Sequence, residues 1–183
     1  MKRLLTGLAA GLVLAVCLLP TGAATAQDAA LKAFFGQWQG SGVSKTDKSL
    51  YFGETVRDFD VEIRPVGQGF KVAWTTVLRQ GGDPNNPDVR RRSAERSFQP
   101  SGNGRYYVAS DSGNPLAGGD MAWARVEERT LTVYILTIAE DGLYDVQVYA
   151  RTLQAPGMTL RFTRIRGDEP QRTVEGRLVK IKN

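Results

Sequence analysis

Between Trp38 and Lys182 the chain falls into short runs in which every second residue tends to be apolar, separated by clusters of Gly, Pro, Asn and Asp. A period of two predicts β-strands rather than helices. Ten such runs can be read, at 36–43, 54–64, 70–79, 91–99, 105–110, 121–126, 130–139, 143–153, 158–166 and 172–182. Most are joined by brief turn signals such as "PVGQG", "EER", "EDG" and "APG", whose residues suit the backbone of tight hairpins. Two connections are longer, "QGGDPNNPD" at 80–88 and "DSGNPLAGGD" at 111–120. Sequential strands with short turns make an antiparallel meander, and a long meander removes its edges by closing on itself. A two-sheet sandwich would need longer crossovers. The expected fold is therefore all-β, an up-and-down barrel of about ten strands. A short N-terminal helix is expected around "DAALKAFF".

Alternation also assigns faces. Phe59, Val61 and Ile63 fall on one side of the second run, and Phe70, Val72, Trp74 and Leu78 on one side of the third. In the eighth run the apolar side holds Tyr144, Val146, Val148 and Ala150. Phe70, Val72, Trp74, Met121, Trp123, Val146 and Val148 are thus expected to line the barrel, as a filled core or as the wall of a cavity. The ninth run groups Leu160, Phe162 and Arg164. In the tenth, Lys180 and Lys182 are expected in solvent, with Ile181, Val179, Arg177 and Glu175 pointing inward. Inward charges are costly unless paired or hydrated.

The first segment has a different pattern. Lys2 and Arg3 precede an apolar stretch at 4–19, and "ATA" at 24–26 supplies small residues before a cut. These features predict a signal peptide over 1–26, a single domain over 27–183, and export to the periplasm or the exterior. Cys17 is the sole cysteine and would leave with that segment. The chain contains no histidine. The commonest general base, the commonest transition-metal ligand and any thiol nucleophile are then missing together. No cofactor and no metal site are expected, and enzymatic activity ranks last among the function classes. Formal net charge is +5, and Lys2 and Arg3 contribute two of those charges. A balance so modest does not call for nucleic acid.

The opening strand adds a resemblance. "GQWQGSG" at 36–42 resembles the first strand of calycins, the lipocalin and fatty-acid-binding superfamily, whose barrels open with a Gly-x-Trp element. Its extended form, Gly36, Trp38, Gly40 and Gly42, is similar to that of nitrobindin-like barrels, which bind haem through a histidine. This chain has no such residue, so the fold implication is kept and the haem is not. The resemblance also implies a basic residue on the last strand that stacks on the opening Trp or meets a ligand carboxylate. Arg177, with Glu175 beside it, is the expected holder of that place.

The sequence therefore points to a barrel binding a small hydrophobic or amphipathic ligand, with Trp38, Trp74, Trp123, Arg164, Glu175 and Arg177 as candidate contacts. The alternative is an envelope-associated interaction domain whose barrel is filled by side chains. "RRR" at 90–92, with Arg96, reads as a solvated face or as a head-group contact at the barrel mouth, and would carry any peripheral envelope contact. Asp83 and Asp88 flank "PNNP" at a spacing that fits no calcium loop.

Overall fold

The computed structural model describes residues 29–45, 54–79, 89–102 and 106–183. The expected signal peptide and the 80–88 loop lie outside the described residues. Ten strands follow in order: β1 Gly36–Lys45, β2 Glu54–Val66, β3 Gly69–Arg79, β4 Val89–Pro100, β5 Tyr107–Ala109, β6 Asp120–Glu127, β7 Thr130–Ile138, β8 Tyr144–Gln154, β9 Gly157–Arg166 and β10 Glu169–Lys182. Each pairs with its sequence neighbours, and β1 also pairs with β10, so the sheet closes into an antiparallel barrel. One helical turn at 29–32 precedes it. The meander, the closure and the short N-terminal helix are as the sequence predicts. β10 begins earlier than expected, because Glu169 and Pro170 join the ladder through an irregularity before Arg172.

The helical turn lies under one end of the barrel. Phe34 is fully buried, and the Trp38 indole N–H donates to the Phe34 carbonyl at 2.9 Å. Phe70 stacks on Phe98 at 5.1 Å and meets Tyr107 edge-on at 5.1 Å. Met158, Leu178, Leu131 and Val133 complete an interior closed to solvent. Trp38 is one residue of this plug, which answers why a large aromatic opens the first strand.

The glycines after Trp38 have a geometric cause. A Cβ at Gly40 would meet the Arg177 carbonyl oxygen, and one at Gly42 would meet that of Glu175. Both approaches are too close for any side chain, so only glycine lets β1 and β10 run together there. That pairing fixes the face of β10. Inward Gly40, Gly42 and Ser44 stand opposite Leu178, Gly176 and Val174. Inward positions on β10 are therefore Val174, Gly176 and Leu178, one residue out of step with expectation. Val179 and Ile181 are about half exposed, at 53% and 51%.

Two further faces are reversed. On β8, Gln147, Tyr149 and Arg151 pair with inward Ile135, Val133 and Leu131 of β7, so Val146, Val148 and Ala150 face outward. The hairpin register, not the apolar count, sets that choice. On β6, Ala122, Ala124 and Val126 point in, and Met121 and Trp123 point out.

Candidate functional site

Away from the Trp38 plug the barrel is hollow, with a cavity of about 430 Å³. Ligand sites occupy roughly 300–1,000 Å³, so the volume suits a small molecule. Larger hollows of about 500 and 740 Å³ lie along the outer wall, beside solvent-facing Gln39 and Glu62 and beside Arg161 and Arg177 respectively. Unlike these two, the interior cavity is surrounded by inward side chains of facing strands.

Its deeper wall is aromatic. Trp74 on β3 packs against Tyr149 on β8 at 5.2 Å, and Tyr149 against Phe162 on β9 at 4.7 Å. Burial pushes the Tyr149 hydroxyl pKa up, and the hydroxyl donates to the Gln147 side-chain oxygen at 2.9 Å. Val61, Ile135 and Leu160 add aliphatic lining.

The rest of the lining is cationic. Among the described residues six arginines line the cavity, Arg57, Arg92, Arg96, Arg151, Arg164 and Arg172, against one lining carboxylate, Asp120. Two of them are matched. Arg164 grips Asp145 with Nε at 3.0 and 2.9 Å and Nη2 at 2.6 Å, a fork that raises its pKa. Arg96 reaches Asp111 at 2.6 Å and also bonds Asp120. Burial acts to lower the Arg96 pKa, and the bonds to Asp120 and Asp111 outweigh it, so the net shift is upward.

The other four have no carboxylate partner among the described residues. Arg57 is held below its ordinary pKa by burial and by the positive charges of Arg172 and Arg92. The Nε atoms of Arg57 and Arg172 are buried without a hydrogen-bond partner. Arg151 is 1% exposed, with Nε and Nη1 unpaired, and burial lowers its pKa to about 10. Its guanidinium lies 5.9 Å from the Trp74 ring and 5.6 Å from the Tyr149 ring. Ring faces offset part of the desolvation of a cation, but they are weaker than a counter-ion.

The wall is interrupted beside β4. β5 has three residues and pairs with β4 only at Phe98–Pro100. Upstream of Phe98, β4 therefore has β3 on one side and no strand of the described residues on the other. Arg96 spans this interruption by bonding Asp111 in the loop after β5 and Asp120 at the start of β6.

Of the residues expected from sequence, Trp74 and Arg164 line the cavity, and Trp38 sits in the plug. Trp123 stands on the outer surface, stacked on Tyr134 at 5.0 Å. Glu175 and Arg177 also face outward, where Glu175 lies 3.9 Å from Arg161 with both side chains about two-thirds exposed. The basic side chain over Trp38 is that of Lys180, 5.1 Å from the ring, because the irregularity at Gln37 and Trp38 sets Lys180 opposite the indole. Arg90, Arg91 and Arg92 are exposed, and Arg92 also lines the cavity together with the half-buried Arg96. Sequence reading missed Arg57, Arg151 and Arg172 as lining residues, and it read Arg92 and Arg96 as a solvated face or a head-group contact at the mouth. Arg57 was within reach, since it shares the face of Phe59 and Val61 two residues on. No group of three or more acidic, His or Cys side chains among the described residues could hold a metal ion.

No protein-family model and no curated protein sequence matches the chain. Among solved structures it is similar to an S-type phycobiliprotein lyase from Guillardia theta, at 11% identity and a TM-score of 0.39, over 85% of this chain and 93% of the other.

Proposed function

We propose that this chain is an exported ligand-binding barrel, which takes a small amphipathic molecule into its interior and does no chemistry on it. The observation that carries the reading is the cavity of about 430 Å³, whose wall combines the Trp74, Tyr149 and Phe162 rings with arginines that have no counter-ion among the described residues. A barrel built only for rigidity would fill that space, since an interior void forfeits packing on every side. Buried cations are likewise disfavoured unless something pairs with them. Native mass spectrometry of protein purified from its own host tests the reading. The expected result is a retained small molecule that is released on denaturation. A bare chain that also binds no added amphiphile would overturn it. Sequencing the N-terminus of the exported protein tests the other half, with Gln27 expected first.

One observation favours a second reading, an envelope interaction domain. The outer face of β5 and β6 leaves Val108 and Met121 about two-fifths exposed beside the Trp123–Tyr134 stack. Loss of a captured envelope partner on Met121→Glu, with the cavity untouched, would support it.

A further inference from the structure

The unpaired arginines do not all lie at one level of the barrel. Inward positions on β8, β9 and β10 fall into rungs. Arg151 shares a rung with Leu160 and Gly176, and Arg172 shares one with Arg164 and Gln147. On β10 these rungs are four residues apart, from Gly176 to Arg172. At about 3.3 Å per residue that is about 13 Å along the strand. Between them lies the rung of Tyr149, Phe162 and Val174, which is aromatic and aliphatic. The inward rungs therefore run from one that carries Arg151, whose guanidinium lies over the Trp74 and Tyr149 rings, through an aromatic and aliphatic one to one that carries Arg172 and Arg164.

Carboxylates of the protein already meet Arg164 and Arg96. Asp145 and Asp120 are thereby occupied, and the described residues offer Arg57, Arg172 and Arg151 no acid of their own. Three buried Nε atoms remain without an acceptor, one on each of these arginines. An acid group supplies the missing acceptor and the missing charge together, and a guanidinium receives it through a two-point fork.

We propose that the ligand is an elongated diacid, with one acidic group among Arg57, Arg92 and Arg172 at the mouth, the other at Arg151, and an apolar body against Trp74, Tyr149 and Phe162. This rests on the cavity being a ligand site and goes beyond it by fixing the number and placement of the charges. A monoacid leaves one cationic rung unmatched, and a neutral amphiphile leaves both. Either end group can be a carboxylate or a phosphate, since both present oxygens to the fork.

Titration calorimetry of the purified protein with decanedioate, decanoate and decanol provides the test, with decyl phosphate in a fourth arm to separate carboxylate from phosphate at a single end. Decanedioate should bind at least about tenfold tighter than decanoate, the change expected when one charge-assisted contact is added. Arg151→Met should bring decanedioate down to the decanoate level and leave decanoate unchanged, because a monoacid has the mouth cluster to itself. Arg57→Gln with Arg172→Gln should weaken both acids. The comparison in unmodified protein needs no variant to fold. Equal binding of decanol and decanedioate leaves a ligand-binding barrel but overturns the diacid. A decanoate affinity equal to that of decanedioate, or an equal loss of both on Arg151→Met, overturns it as well. Failure of all four probes removes the cavity as a ligand site and the diacid with it.

Discussion

The two ends of this barrel are built from the same strands and have opposite chemistry. β2 sends Phe59, Val61 and Ile63 inward and then, one inward step toward the other end, Arg57. β4 sends in Phe98 at the plug, then Arg96 and Arg92. β9 sends in Met158, Leu160 and Phe162, then Arg164. Parity is constant along each strand while polarity changes. The plugged end satisfies itself by packing, whereas the open end keeps cations that packing cannot satisfy. Stability belongs to the first and, on the proposed reading, recognition belongs to the second.

Phe98→Ala attacks the plugged end and should have the largest effect. Phe98 is fully buried against Phe70, so denaturant unfolding should show a loss of about 3–5 kcal/mol. Ligand affinity of the folded protein should be unchanged, and a loss of affinity would break the division between the ends. Arg151→Met should act with the opposite sign. Replacing a buried unpaired cation by an apolar side chain of similar length should stabilise the fold on the order of 1–4 kcal/mol. That gain should depend on pH. The folded-state pKa of about 10 lies below the ordinary guanidinium value, so the folded protein bears the cost of the protonated form at all pH below about 10. As pH rises above about 10 the folded state loses the proton while the unfolded state still keeps it, and the advantage of the Met variant should shrink. A gap that stays constant would show that burial is not the source of the penalty.

Asp145→Asn should cost less, about 1–2 kcal/mol, because Arg164 is 42% exposed and solvent screens the broken pair. The same variant frees Arg164 for a ligand acid, so decanedioate affinity should rise while stability falls. A fall in both would show that Asp145 positions the mouth rather than competing for it. Lys180→Ala should be the smallest change. Its ammonium lies over Trp38 at the solvent-facing end of the plug, and its loss should lower stability by about 0.5 kcal/mol in thermal unfolding.

The fold was legible because its signals are local. Turn residues at close intervals and a period of two needed no partner strand to be read, and all ten runs appear as strands. The site was less legible because facing depends on pairing. β8 has apolar residues on both faces, and only its register with β7 turns Tyr149 and Arg151 inward. β10 ends in an alternating apolar and basic stretch, and the glycine contact with β1 turns Leu178 inward in place of Val179. Trp123 was misplaced because its neighbours Ala122 and Ala124 are small, while the largest residue of β6 stacks on Tyr134 outside.

The sequence by itself determined the strand number, the meander, the Trp38 plug and the lack of histidine chemistry, all of which follow from residue identity and nearest neighbours. The tertiary structure decided which arginines face one another. A one-residue shift in register exchanges the inside of a strand for its outside, and register is fixed by contacts between strands that the linear chain does not display.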